Sequence, residues 1–123
     1  KTEALRLLEI KGGRTYVAES GLIGEGLPNH NSIFNTDDSE YSLLSGEESL
    51  NITLFSDSES AFVEKTYTFY RGSYAIDVDY KITNKTSAPI SPNAYFQLLR
   101  DGGGAEGDTK LQPTYTGGGG CLF

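Results

Sequence analysis

The residues able to do chemistry are few and scattered. His30 is the chain's only histidine and falls in a Pro/Asn/Ser-rich loop. It reads either as a general base or metal ligand, or as an exposed loop residue. A zinc site wants more Cys or His at short spacing, so the loop reading is preferred. Asp37, Asp38 and Glu40 form one carboxylate group, and Asp57 and Glu59 another. Calcium loops add a glycine turn and a closing bidentate Glu. Neither group has that layout, so both read as solvated turns. Asp77 and Asp79 sit on one strand face, about 7 Å apart by strand rise. Paired carboxylates can hydrolyse glycosides, but simple alternation along a strand already accounts for this pair.

Other motifs fall short in similar ways. Ser20-Gly21 and Ser45-Gly46 lack the Gly-x-Ser-x-Gly of a nucleophile elbow. Gly102-Gly103-Gly104 lacks the Lys-Ser/Thr and the helix of a phosphate loop. Asn51-Ile52-Thr53 and Asn84-Lys85-Thr86 match the glycosylation sequon, a pattern common by chance. Cys121 is the single cysteine, so no disulfide forms within the chain. The catalytic, cofactor and metal assignments therefore stay empty: no cofactor is expected, and the chain does not read as an enzyme. Tyr67, Phe69 and Tyr70, with Tyr74 and Tyr80, can line a groove for a sugar or an extended peptide. They can equally be a core whose hydroxyls reach its rim, and that reading is favoured.

The elements that must position these residues are strands. The chain has 123 residues, enough for one small core or for a piece of a larger domain. Tyr, Phe and Thr are prominent, and such residues suit a pleated, half-buried surface. The net charge of −7 argues against nucleic acid and anionic lipid as partners. No apolar run is long enough to span a membrane.

Leu5, Leu7, Leu8 and Ile10 are too brief a stretch to decide between helix and strand. Lys11-Gly12-Gly13 reads as a turn, and Arg14 to Glu19 as a strand ended by Ser20-Gly21. Gly24 to Ser32 is a loop by composition. Tyr41 to Leu44 is expected as a short strand. Leu50, Ile52 and Leu54 alternate on one strand face. Asp57-Ser58-Glu59-Ser60 reads as a hairpin turn into a long strand from Ala61 to Tyr70. Arg71-Gly72-Ser73 is the next turn: Gly can take positive φ, and Arg offers a fork of donors to a nearby carboxylate or carbonyl.

The following strand is the clearest element. Tyr74, Ile76, Val78, Tyr80 and Ile82 point one way; Ala75, Asp77, Asp79, Lys81 and Thr83 point the other. Asn84 to Ser87 makes a turn. Pro89 and Pro92 mark an edge or a strand entry, and Ala94 to Leu99 is another strand. Residues 101–109 read as a flexible loop, Lys110 to Thr116 as a last short strand, and 117–123 as an irregular tail. Strands with turn signals at roughly 8–12-residue intervals and no clear helix point to an antiparallel β-sandwich.

The run from Lys65 to Asn84 resembles a hairpin of the periplasmic domain of the bacterial membrane protein insertase YidC. In that family a Lys-Thr-aromatic strand leads to Arg-Gly, then to Tyr-Ala and alternating Val/Tyr, closing on Asn. Arg71, Gly72, Tyr74, Val78, Tyr80 and Asn84 occupy those places. Glu19-Ser20-Gly21-Leu22-Ile23-Gly24 is similar to the family's Ser-Gly-Leu-x-Gly segment, and Phe96-Gln97-Leu98 falls where the family carries Gln-Leu. Leu7-Leu8-Glu9 also fits.

The resemblance covers nearly all of the chain, which makes residues 1–123 a single domain or a fragment of that periplasmic domain. It implies an incomplete β-supersandwich, similar to galactose mutarotases. It further implies a non-catalytic role at the periplasmic face of the inner membrane, within an integral membrane protein. A membrane anchor before this region and a five-helix insertase core after it are expected. The implied partners are the Sec translocon accessory proteins SecD and SecF, or membrane proteins in transit. Fold does not transmit chemistry, so a carbohydrate-binding or carbohydrate-processing sandwich is the alternative.

Overall fold

The computed structural model describes residues 8–101. Within them lie six strands and no helix: β1 (Glu9–Lys11), β2 (Arg14–Ile23), β3 (Ser49–Asp57), β4 (Ala61–Tyr70), β5 (Ile76–Asn84) and β6 (Asn93–Arg100). They form two three-stranded sheets, ordered β1-β2-β6 and β3-β4-β5. The fold is an incomplete antiparallel β-sandwich. The chain divides into two compact units, one holding the described residues 8–19 and 97–101 and the other Ser20–Phe96.

In the first unit, β1 and β2 form a hairpin with Lys11 opposite Arg14. Gly12 and Gly13 both take positive φ, +62° and +82°. A two-residue turn of that hand matches the twist of the strands, and glycine enters it without steric cost. Thr15 N–H donates to the Asp101 carboxylate at 2.6 Å, and Asp101 N–H donates to the Thr15 carbonyl at 2.8 Å. Gln97 donates to the Glu19 carboxylate.

The second unit is built on β3-β4-β5. Asp57 faces Phe62 across the β3–β4 turn, where the Ser58 hydroxyl donates to the Ala61 carbonyl and accepts from the Ala61 N–H. Residues directly opposite on antiparallel strands share a face. The register therefore stacks Leu50-Phe69-Ile76, Ile52-Tyr67-Val78, Leu54-Lys65-Tyr80 and Ser56-Val63-Ile82 on one side. The opposite side carries Thr53-Thr66-Asp79 and Asn51-Thr68-Asp77. While Phe55 and Phe62 stack on this opposite side, alternation gathers most of the apolar side chains on the first face. The Ser20–Ile23 end of β2 packs over part of that face. There Leu22, Ala61 and Val63 form the buried centre, flanked by Leu27, Phe34, Tyr80 and Ile82. Burying a side chain such as Val63 contributes about 1.5–3 kcal/mol.

Three sequence-based expectations need correction. β2 does not stop at Ser20-Gly21 but runs on to Ile23. Both residues are buried, and Gly21 is needed for close approach rather than for a turn. A Cβ there would meet the Tyr95 hydroxyl at 2.6 Å, Asn29 Cα at 2.8 Å and His30 N at 2.9 Å. Tyr41 to Leu44 is not a strand. The Tyr41 hydroxyl instead accepts the Asp38 N–H at 3.1 Å, folding the segment on itself. Tyr74 and Ala75 precede β5, which begins at Ile76; the Arg71-Gly72 corner takes up their length. The expected loop at 101–109, the strand at Lys110 to Thr116, the tail at 117–123 and Cys121 lie outside the described residues, save Asp101.

Gly21→Ala is expected to destabilise the protein by about 1–3 kcal/mol, the usual cost of overpacking. Denaturant unfolding with an unchanged slope would show it. A loss below about 0.5 kcal/mol, the range of ordinary surface changes, would mean that the loop does not press on β2.

Candidate functional site

Two constructions organise the second unit. The first is around Lys65, buried mid-strand in β4 with only 6% of its surface exposed. Its ammonium lies 5.1 Å from the centroid of the Tyr67 ring, and 5.5 Å from those of Phe34 and Tyr80. Ring faces carry negative potential and attract a cation, more strongly once water is gone. The Lys65 Nζ also donates to the Ser20 carbonyl at 3.1 Å. The Tyr80 hydroxyl donates to Ser20 Oγ at 3.1 Å, so Ser20 receives both groups. Composition gave no sign of this: the alternation that places Tyr67 and Tyr80 inward places a lysine inward with them.

The second construction is the β4–β5 corner. Gly72 takes φ +70°. The Arg71 guanidinium donates from Nε to the Glu47 carbonyl and from Nη2 to the Leu44 carbonyl, both at 2.8 Å. Arg71 N–H donates to the Glu48 carbonyl at 2.8 Å. Of the two acceptor types open to this arginine, the carbonyls take it. The 44–48 turn is thereby tied to the corner, next to Tyr70, Tyr74 and Ile76. Tyr74 is 80% exposed and Leu44 63%. Apolar side chains held in water by a fixed backbone suit contact with another protein.

The remaining candidates are dispersed. Tyr67, Phe69 and Tyr80 lie on the apolar face, whereas Tyr70 is on the opposite face and Tyr74 is outside the strand. The five aromatics therefore line no common groove. Tyr67 and Phe69 stack at 6.5 Å. Val78 sits beside Tyr67 in the register, and the Asn84 amide donates to the Ala88 carbonyl at 2.8 Å. Asp77 accepts the Tyr70 hydroxyl at 2.6 Å, so one of the paired carboxylates is engaged. His30 is exposed; its Nδ1 lies 2.5 Å from the Tyr95 hydroxyl, which also accepts the His30 N–H at 3.0 Å. Among the described residues no three His, Cys, Asp or Glu side chains gather around a common metal position.

A family profile described as the YidC periplasmic domain matches residues 1–122. The chain belongs to the YidC periplasmic domain family. It is 46% identical over 114 residues to the membrane protein insertase YidC of Nitrosomonas europaea, covering 90% of this chain and 19% of that protein. The insertase YidC of Nitrosospira multiformis is 43% identical over 95% of this chain and 21% of its own length. That of Nitrosomonas eutropha is 48% identical over 77% of this chain and 16% of its own length. The chain thus spans about a fifth of the length of the curated relatives it matches. No solved structure matches it.

Within this YidC periplasmic domain the two constructions make separate predictions. Lys65→Met keeps most of the side-chain volume but leaves the Ser20 carbonyl buried without its donor. A loss of about 1–3 kcal/mol is expected in chemical denaturation. A gain would mean that the cost of burying the charge outweighs the ring and carbonyl contacts.

Tyr70 titrates above its ordinary value. The hydrogen bond to Asp77 is the main cause, followed by desolvation and the charges of Asp77 and Asp79. A raised folded value favours the neutral phenol. The stability it contributes is present below the unfolded tyrosine value near ~10 and is lost as pH rises through the higher folded value. Asp77→Asn should move Tyr70 back toward the ordinary tyrosine value in an ultraviolet titration. No movement would rule Asp77 out as the cause.

Proposed function

We propose that this chain is a non-catalytic periplasmic part of a membrane protein insertase, supporting insertion and folding by protein–protein contact. Membership of the YidC periplasmic domain family carries the reading. The exposed apolar end of the β3-β4-β5 sheet supports contact as its mode. Leu44, Tyr74 and Ile76 all stand at least 40% exposed there. Arg71 holds the 44–48 turn against the corner, so the patch is ordered before any partner arrives. Pre-ordering lowers the entropic cost of association. Aromatic anchors of this kind concentrate binding energy. The residues of the hairpin motif, Arg71, Gly72, Tyr74, Val78, Tyr80 and Asn84, act here as framework, and Tyr74 is the exposed aromatic among them.

The partners in this reading are the accessory proteins SecD and SecF, or membrane proteins in transit, met at the periplasmic face of the inner membrane. The acidic balance of the chain suits polypeptide partners better than lipid or nucleic acid.

A photo-reactive residue at Tyr74 of the full-length insertase, in membranes containing SecD and SecF, tests this. Adducts with SecD, SecF or an inserting chain are expected, reduced several-fold by Arg71→Ala. If position 74 cross-links no more than exposed Asp79, the contact reading fails.

A further inference from the structure

A second site lies elsewhere in the Ser20–Phe96 unit. A cleft of about 470 Å³ runs between the loop after β2, the β3–β4 turn and the β5–β6 connection. That volume falls within the range of small-ligand sites, ~300–1,000 Å³. Leu27, Ala88 and Ile90 give it an apolar wall, while Glu25, Ser60 and Ser91 supply its polar side chains.

Three observations specify what the cleft can hold. First, among the described residues no hydrogen bond or ion pair engages the Glu25 carboxylate, nor the Ser60 and Ser91 hydroxyls. Thr86, which also lines the cleft, is by contrast committed, its hydroxyl bonding Asn84 and Ala88. Second, the nearest lysine offers no competing cation. Lys85 is paired with Asp57 and donates to the Ser58 carbonyl at 3.1 Å, and the neighbouring turn residue Glu59 adds to the acidic side. Taken together, residues 20–96 carry more acidic than basic side chains. Third, Ile90 and Ser91 lie between Pro89 and Pro92, outside any strand. No backbone hydrogen bond holds either residue among those described. Proline keeps such a stretch from joining a sheet by itself, leaving its N–H and C=O groups for an extended visitor.

We infer that this cleft binds a short extended peptide segment carrying a lysine, whose ammonium pairs with Glu25. Flanking apolar residues lie on Leu27 and Ile90, and the segment's backbone bonds Ile90 and Ser91 as an added strand would. A charge-assisted bond at Glu25 sets the preference for a basic residue. This site does not include the Leu44–Tyr74 end, so cross-linking there and peptide binding here succeed or fail independently.

Amide NMR of the whole 123-residue chain tests the inference with acetyl-Val-Lys-Val-amide. The uncharged norleucine analogue, acetyl-Val-norleucine-Val-amide, is the control. Saturable shifts are expected at Gly24 to Leu27, Ser60, Ile90 and Ser91. Binding should fall about tenfold for the norleucine peptide and for Glu25→Gln, equivalent to ~1.4 kcal/mol. Glu25 is exposed, so the variant's spectrum should otherwise be unchanged. Shifts absent from these residues, or equal binding by the lysine and norleucine peptides, would overturn it.

Discussion

The structure of residues 20–96 depends on a buried cation without a counter-ion. Moving an ammonium out of water is expensive, and among the described residues no carboxylate pairs with Lys65. Three ring faces and one carbonyl take the place of water. These partners come from different parts of the chain: Tyr67 from β4 itself, Tyr80 from β5, Phe34 from the segment before β3, and Ser20 from β2. The cation is satisfied only when all four arrive together. A one-residue slip of β4 would send Lys65 to the wet side and bring Glu64 inward, since each step reverses the side chains. Register, sheet packing and the position of the Phe34 segment are therefore coupled through one side chain.

Arg71 plays a different part with the other basic side-chain type. It stays in water and binds backbone carbonyls in a fixed fork, which suits a rigid planar guanidinium. Its contribution is geometric: it holds the 44–48 turn where no strand could, because that segment has no ladder of its own. Lysine within the face and arginine at the corner thus divide the work. One joins layers, the other sets the shape of an edge that remains exposed.

Much of this was legible in the sequence. The five-step alternation from Tyr74 to Ile82 located β5, its wet and dry faces and the hairpin with β4, missing only the two residues consumed by the corner. The resemblance of Lys65 to Asn84 to the YidC periplasmic domain agreed with the family match. What escaped was non-local. Ser20-Gly21 reads as a stop because Gly usually marks a turn. Only Tyr95, which lies 74 positions on, and the loop at Asn29 and His30 show why that glycine must lack a side chain. Lys65 carries no signal of burial by residue type, although its parity with Val63 and Tyr67 assigns it inward. Parity was the better guide than residue type. The five aromatics were grouped by proximity in sequence, and strand alternation then separated Tyr70 from Tyr67 and Phe69.

The apolar face of β3-β4-β5 is unevenly covered, and the unevenness has functional weight. The rungs holding Val63 and Lys65 are the dry end. The rungs of Leu50-Phe69-Ile76 and Ile52-Tyr67-Val78 are only half covered, none of their members being fully buried. Each half-covered side chain gives up part of the ~25 cal/mol per Å² that burial would contribute. Stability in this unit therefore concentrates where β2 crosses, and local opening should begin at the corner end. A corner that were both apolar and loose would invite indiscriminate association. The three hydrogen bonds that Arg71 makes to the 44–48 turn counter that tendency, tying the turn that carries Leu44 to the corner. Selective contact needs both properties at once, and here each traces to a single residue: Lys65 makes the far end firm enough to carry an exposed one, and Arg71 gives the exposed end a definite form.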